Sequence, residues 1–157
     1  MKRDIEFWID KWATLIEANL QTYIDESNTL HPNSPVQLIN YEADAFYAMD
    51  IPIDQPPYQV FYVLYPSASV TIEPAGQADS ALVETVFFDV SIPDDGSSTL
   101  FRRGQRYKSL LKRMFNDIIL KDNTSCELVS IATNSFVFED TGQRLQQAGV
   151  SWNISIP

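Results

Sequence analysis

The chain contains 157 residues, carries a formal net charge of −10 and has a pI of about 4.3. This acidity argues against non-specific binding to nucleic acid or to an anionic membrane surface. Hydrophobic residues make up 45% and aromatic residues 12% of the sequence, which argues against intrinsic disorder and predicts a single domain over residues 1–157.

The first predicted element is an amphipathic helix from about Asp4 to about Glu26. Its apolar residues recur at helical spacing on one face: Ile5, Trp8, Ile9, Trp12, Ile16, Leu20 and Tyr23. Asp4 is the expected N-cap, and residues 27–28 are the expected stop. Phe7 projects from the polar side, either as a single exposed aromatic residue or as a subunit contact.

Residues 28–57 are predicted to form a long irregular segment. Five prolines interrupt it: Pro32, Pro35, Pro52, Pro56 and Pro57. Each removes a backbone donor and restricts the residue before it. Tyr41, Phe46 and Tyr47 make the segment too apolar for a free linker. We therefore expect an arm or ordered loop that packs on its own domain or on a neighbouring subunit, with Val36–Tyr41 as its candidate strand.

Six strands are predicted in two groups of three. They are Tyr58–Tyr65, Ser69–Glu73 and Leu82–Ile92, then Cys126–Ile131, Ser135–Glu139 and Gly149–Ile156. Pro66 closes the first strand, and turns are expected at residues 76–80 and 93–96. Runs of strands separated by single helices predict an α+β fold, with a mainly antiparallel sheet that helices cover on one face.

A basic amphipathic helix is predicted between the two strand groups, over Thr99–Leu120. Seven of the eleven basic residues of the chain lie at positions 99–121, and Asp117 is the one acid there. At about 100° per residue, one set of residues faces away from the apolar stripe: Arg102, Arg106, Ser109 and Arg113, flanked by Lys112. Gly104 stands inside this helix, where it either permits close approach of another backbone or is incidental.

The basic side of this helix has three interpretations. It is a solvated helix face, a phosphate-binding surface, or a surface that meets acidic residues on another copy of the chain or on a partner. Aromatic residues for base stacking are absent from this side. The overall acidity of the chain favours the third interpretation over the second.

No residue pattern indicates catalysis, a metal site or a cofactor, so we expect a protein that is not an enzyme. His31, the one histidine, is predicted to be a solvated loop residue, and Cys126 a small buried hydrophobic residue. Asp94–Asp95 and Glu139–Asp140 adjoin glycine-bearing turns, where surface acids are common, and they lack EF-hand spacing.

Membrane insertion and secretion are not indicated. No apolar stretch approaches the roughly 20 residues that a membrane-spanning helix needs. The first residues lead into an amphipathic run with acids, unlike the apolar core of a signal peptide. A single cysteine cannot form an internal disulfide, so no oxidising compartment is implied. We therefore expect a soluble chain that is made in the cytoplasm.

The order of elements carries a resemblance. An N-terminal helix, IEFWIDKWATLIEANL, precedes a proline-bearing loop and a strand hairpin that ends in ALVETVFFDVSIPDDGSS. A basic helix, LFRRGQRYKSLLKRMFNDI, then precedes closing strands that end in GVSWNISIP. In this plan and in size, the chain resembles the tail terminator and tail-completion (neck) proteins of tailed bacteriophages.

The resemblance implies a ring, in particular a homohexamer, that caps the tail tube in the virion. Its partners would be further copies of itself, the tail tube protein and the head connector, with only passive contact to DNA in the lumen. No functional residue transfers through a motif. The interface residues that we expect come from the sequence pattern: Phe7, Tyr41, Phe46, Tyr47, Arg102, Arg106, Lys112 and Arg113.

Two other classes of function stay open at this point. One is a small acidic adaptor or inhibitor that binds a basic protein partner. The other, which the sequence favours least, is an enzyme assisted by a metal ion. Its candidate ligands are Asp94, Asp95, Glu139 and Asp140.

Overall fold

The computed structural model describes residues 3–50, 59–74, 80–121, 125–137 and 139–156. Its helices are α1 (Ile5–Leu30) and α2 (Leu100–Met114), and α2 continues as a π-helical segment, Phe115–Leu120. Its strands are β1 (Phe46–Ala48), β2 (Phe61–Pro74), β3 (Ser80–Pro93), β4 (Cys126–Val137) and β5 (Arg144–Ile156), and a 3₁₀ turn, Ala43–Ala45, precedes β1. The predicted α+β class is confirmed.

The strands form one five-stranded sheet in the order β1-β2-β3-β5-β4. All neighbouring strands are antiparallel except β1 and β2, which are parallel. The two edges differ in length, since β1 has three residues and β4 has twelve. The predicted, mainly antiparallel sheet is therefore confirmed.

Both helices cover the same face of the sheet. Helix α1 packs on β1 and β2, whereas α2 packs mainly on β5 and also on β3 and β4. Trp12 of α1 and Trp152 of β5 are fully buried, and their rings meet edge to face with centroids 5.2 Å apart. One side of β3 lies beneath the helices with its side chains fully buried: Val86, Phe88, Val90 and Ile92.

Helix α1 is one turn longer than predicted. Asp4 does cap it, because its Oδ1 accepts from the backbone N–H of Phe7 at 3.0 Å. The predicted stop at residues 27–28 is wrong. Asn28 instead exchanges two hydrogen bonds with the backbone of Leu38, at 2.7 and 2.9 Å, so its polar side chain is satisfied without ending the helix. The helix ends at Leu30, just before His31 and Pro32.

The long segment after α1 packs on its own domain where the structure describes it. Residues 36–41 do not form a strand, so that prediction is wrong, since the side chain of Asn28 takes the backbone bonds of Leu38. The strand lies later, at Phe46–Ala48, in parallel with Tyr62–Leu64. Residues 51–57 of the predicted arm lie outside the described residues.

Two predicted strand breaks are absent. Strand β2 continues past Pro66, and a register shift between Pro66 and Val70 accommodates the missing donor. Strand β4 runs unbroken through residues 132–134, which pair with β5. Four long strands and one short strand therefore replace the six predicted, and the turn expected at 76–80 falls almost wholly outside the described residues.

Candidate functional site

The basic side of α2 lines a groove with a volume of about 770 Å³. The α2 wall is formed by Arg102, Gln105, Arg106, Ser109 and Arg113. The facing wall comes from the end of α1 and the residues after it: Ser27, Leu30, His31, Ser34 and Pro35. We call this feature the basic groove. The side of α2 for which the sequence left three interpretations open is thus one wall of a concavity.

Arg106 is the largest correction to the predicted site. Its side chain is only 8% exposed, whereas helical spacing placed it on an exposed side. Its Nη1 donates to the backbone oxygen of Val36 and its Nη2 donates to Ser34 Oγ at 2.9 Å. Arg106 therefore ties the loop after α1 onto α2 and fixes one wall of the basic groove. Two of its five N–H groups bond inside the chain and its side chain is buried, which leaves the neighbouring arginines as the candidates for binding.

Arg102 and Arg113 occupy the two ends of the groove. Arg102 is exposed, and Arg113 is half-buried beside the last turns of α1. Arg113 also lines a shallower depression that includes Asp25 and Glu26. Its Nε is buried and has no hydrogen-bond partner among the described residues. The positive charge that Arg113 places at this end of the groove favours an added anionic group.

Arg103 and Lys112 differ from the residues in the groove. Arg103 turns away from the groove and pairs with Asp95, with Nη2 3.3 Å from Oδ1. The hydrogen-bonded loop that holds Asp95 lowers the pKa of this carboxyl, mainly through the hydroxyl of Ser97. Lys112 is exposed, as predicted, but it does not line the groove.

An opposite charge lies on α1, on the side that faces away from α2. Glu6, Asp10 and Glu17 are exposed there at steps of four and seven residues, and we call them the acidic ridge. The loop beyond α1 lies along the same side of the helix, since Gln21 Oε1 accepts from the backbone N–H of Tyr41 at 2.7 Å. The layer of helices therefore carries acids along its β1 side and bases in its groove.

The predicted aromatic contacts divide into two groups. Tyr41 and Phe46 are half-buried on their own core, with Tyr41 5.6 Å from Tyr62 and Phe46 6.0 Å from Phe88 between ring centroids. Burial, with a smaller contribution from Glu17, raises the pKa of Tyr41 to about 12. The described part of the arm thus takes the first of its two options and packs on its own domain.

Phe7 and Tyr47 are more accessible than this pair. Phe7 is 41% exposed and meets Trp8 edge to face, and the guanidinium of Arg3 lies 4.7 Å from the centre of its ring. Tyr47 is half-buried and packs against Phe61. Both residues lie on the side of the molecule that carries α1 and β1.

Sequence reasoning missed an apolar surface at the free edge of the sheet. Phe101 of α2 is 66% exposed and lies with Phe136 and Val137 of β4 around a groove of about 520 Å³. Strand β4 contains one charged residue, Glu127, and no proline, so its edge lacks most of the usual protection against pairing. The signal in the sequence was Phe101, an aromatic residue next to the arginines of α2 that does not belong to the apolar stripe of that helix.

The face of the sheet without helices holds a buried carboxyl. Asp89 is 8% exposed, lies opposite Gly149 of β5 and accepts from the hydroxyl of Tyr65 at 2.7 Å. Burial raises the pKa of Asp89, and the bond from Tyr65 opposes that rise. A side chain at position 149 would collide with Asp89 Oδ1, so the glycine makes room for the carboxyl. This pair supports the sheet, and we assign it no chemistry.

The candidates for chemistry remain apart from one another. Cys126 is buried, which raises the pKa of its thiol to about 12, in agreement with the predicted hydrophobic role. His31 is exposed, as predicted. Asp94 and Asp95 accept backbone N–H groups of their own loop, from Gly96 and Ser97. Among the described residues, no three or more His, Cys, Asp or Glu side chains converge as metal ligands would.

No protein-family model matches the chain, and no curated protein matches it significantly. Among solved structures, one chain aligns with 90% of this chain and 94% of its own length, at 13% identity and a TM-score of 0.38. A likeness at that TM-score carries no argument about function. No helix in the described ranges is long and apolar enough to cross a membrane.

Proposed function

We propose that this chain is a non-enzymatic structural subunit that assembles head to tail into a homo-oligomeric ring. The ring would act in the virion of a tailed phage, as a tail terminator or neck component between the tail tube protein and the head connector. The observation that carries the ring is the separation of the acidic ridge from the basic groove on one layer of helices. The phage context rests on the resemblance in the order of elements.

Head-to-tail assembly requires two different patches that fit each other. The acidic ridge lies on the outer side of α1, whereas the basic groove opens between α1 and α2. A chain with both patches, of opposite charge and on different sides of α1, can bind a copy of itself without placing like charges together. Such charge complementarity sets orientation and register more reliably than it adds affinity.

Affinity in the ring would come from the edge of the sheet. Strand β4 offers twelve residues of free edge, and Phe101, Phe136 and Val137 add exposed apolar area next to it. Apolar surface removed from water contributes about 25 cal/mol per Å², which makes this patch a better source of binding energy than exposed ion pairs. The acidic ridge and the basic groove on the layer of helices would then select the correct neighbour.

The absolute mass of the protein across a concentration series tests the ring. We expect a discrete species on light scattering after gel filtration, at six times the subunit mass of 17.9 kDa if the ring is a hexamer. High salt should shift assembly to higher protein concentration, because exposed charges are screened. Electron microscopy with the tail tube protein should then place the ring at tube ends. A monomer at every concentration, with no ring on tubes, would contradict the proposal.

A second candidate is a small acidic adaptor or inhibitor of a basic protein. The exposed acidic ridge and the net charge of −10 favour it. This function predicts a monomer that binds a basic protein in a 1:1 complex through α1. Loss of that complex in Glu6→Lys/Glu17→Lys, in a chain that never forms rings, would favour the adaptor over the ring.

A further inference from the structure

The charged residues of the acidic ridge and those on the α2 wall of the basic groove have the same spacing along their helices. Arg102, Arg106 and Arg113 follow one another at steps of four and seven residues, and so do the three acids of the ridge. With a rise of about 1.5 Å per residue, the outer charges of each set lie roughly 16.5 Å apart. Two helices with equal spacing and opposite charge can pair along their length.

On each helix, only the two outer charges of the set of three are used in this pairing. Arg106 is buried and already bonded to the loop, so Arg102 and Arg113 are the groove arginines open to an added carboxylate. Arg102 lies in the first turn of α2, where a positive charge opposes the helix dipole at a cost of about 0.3–1 kcal/mol. A carboxylate from outside the chain would offset that cost.

The same chain cannot supply this carboxylate from its own acidic ridge. The ridge lies on the side of α1 that is next to Tyr41 and β1, whereas α2 lies on the other side of α1, over β5. The nearest acids of α1 to the groove, Asp25 and Glu26, border the depression next to Arg113. They would repel any anion that entered from that side, so the choice of partner rests on the matching spacing of the ridge and the groove.

The intervening residues select the direction of pairing. If the helices run antiparallel, with Glu17 at Arg102 and Glu6 at Arg113, then Asp10 falls opposite Ser109 and Ala13 opposite Arg106. The exposed hydroxyl of Ser109 can donate to a carboxylate, and small Ala13 suits an arginine that is buried and bonded to the loop. A parallel arrangement would place Asp10 at the already bonded Arg106. The antiparallel arrangement also opposes the two helix dipoles.

We propose that the acidic ridge of one subunit lies in the basic groove of the next, with Glu17 at Arg102 and Glu6 at Arg113. This inference rests on the proposed ring and names the two surfaces that meet in it. Arginine suits these positions because its planar guanidinium can bind a carboxylate through two parallel hydrogen bonds. Each subunit contributes one ridge and one groove, so the contact repeats around the ring.

A charge swap tests the pairing directly. Variant A is Arg102→Glu/Arg113→Glu, and variant B is Glu6→Lys/Glu17→Lys. Each should assemble at a concentration at least 10-fold higher than the wild type, because its own ridge and groove then carry like charges. An equimolar mixture of A and B should assemble again, in rings where the two alternate, and so should the quadruple variant. Both rescues require the specific pairing, since neither variant regains its original charge.

Matched controls carry the same change of charge outside the two surfaces. Lys108→Glu/Lys112→Glu matches variant A on the same helix, and Glu42→Lys/Asp44→Lys matches variant B. Both should assemble as the wild type does. Circular dichroism and thermal unfolding check that A and B fold. If either does not, Arg102→Gln/Arg113→Gln and Glu6→Gln/Glu17→Gln replace them, with weaker assembly as the expected result.

The outcomes separate the two proposals. If the wild type forms rings and variants A and B form them too, the pairing is overturned and the proposed ring stands. Loss of rings in A and B without rescue in the mixture would also overturn it. A wild type that never assembles removes the ring and this inference together. Binding of a labelled 20-mer DNA by the wild type that variant A loses would assign the groove to phosphate instead.

Discussion

Helices α1 and α2 lie side by side on one face of the sheet, yet they are held there in different ways. Helix α1 depends on apolar side chains along its length and on the cap from Asp4 at its start. Helix α2 also buries an apolar stripe, but Arg106 ties it to the loop after α1 as well. Both helices thus combine packing with polar bonds to that loop, through the uncharged Gln21 and Asn28 on α1 and through the charged Arg106 on α2.

This difference decides which charges each helix can offer to a partner. The acidic ridge of α1 is exposed, since packing uses the opposite side of that helix. Helix α2 has six basic residues, but Arg106 holds the loop and Arg103 pairs with Asp95. A count of charges in the sequence therefore overstates the basic surface. Substitutions on both helices test this comparison.

Replacing Trp12 by Ala should have the largest effect. Trp12 is fully buried and packs against Trp152, so its removal leaves a cavity beneath α1. We expect the free energy of unfolding to fall by about 3–5 kcal/mol, measured by urea denaturation. Trp8→Ala is the matched control, because Trp8 is only partly buried, and it should cost less than half as much.

Trp12→Phe refines the same comparison. The indole N–H of Trp12 is buried and has no hydrogen-bond partner among the described residues. Phenylalanine removes that donor and keeps most of the apolar area, so the loss of stability should be well below that of Trp12→Ala. Equal losses in the two variants would show that the packing of α1 depends on more than the buried area of this ring.

Arg106→Ala should have the next largest effect. Because the guanidinium makes two hydrogen bonds to the loop, each charge-assisted, we expect a loss of about 1.5–3 kcal/mol in the free energy of unfolding. Amide hydrogen exchange of residues 31–38 should also become faster. Arg102→Ala, on the same helix and exposed, should change stability by no more than about 0.5 kcal/mol. Equal effects from both arginines would contradict the structural role of Arg106.

The contrast between these arginines explains the limit of sequence reasoning at the site. Helical spacing places Arg102, Arg106 and Arg113 on one side of α2, and the groove indeed contains all three. Periodicity describes only the helix itself. Arg106 is buried by Ser34 and Val36, which precede it by about 70 residues, and no local pattern predicts which loop folds back onto a helix.

The predictions of the fold succeed where local contacts decide the structure and fail where other contacts do. The cap at Asp4 depends on contacts three residues apart, and it was predicted correctly. Pro66 was expected to end a strand, but a bulge in the pairing with β3 lets β2 continue. Asn28 was expected to stop α1, but Leu38 satisfies its side chain. In both failures, a contact with residues outside the local pattern decides whether the element continues.

Asp4→Ala should lower stability less than Trp12→Ala or Arg106→Ala does. It removes the acceptor of the Phe7 N–H, and loss of such a cap costs about 1 kcal/mol. Asp4→Asn keeps a capping oxygen without the charge, so it should stay within a few tenths of the wild-type stability. Thermal unfolding of both variants checks this. A large loss in Asp4→Asn would indicate that the charge of Asp4, and not its cap, stabilises the start of α1.

Gly104→Ala in α2 should give the smallest net change, because two effects oppose each other. A Cβ at position 104 would lie 2.7 Å from Cγ of Gln146, so the glycine admits a side chain of β5 and not a second backbone. Alanine favours the helix by about 1 kcal/mol, while displacing a buried side chain costs about 1–3 kcal/mol.

Gln146→Ala separates these two effects of Gly104→Ala. Gln146 is almost fully buried, and its Oε1 accepts from Ser135 Oγ at 2.7 Å, so it cannot move without breaking a bond between β4 and β5. Alone, Gly104→Ala should therefore lower stability by less than about 1 kcal/mol, and by less than Asp4→Ala does. In a Gln146→Ala background the obstruction is gone, and the same change should raise stability, since only the gain in helix propensity remains. An identical effect in both backgrounds, measured by urea denaturation, would mean that Gln146 does not explain why α2 keeps a glycine.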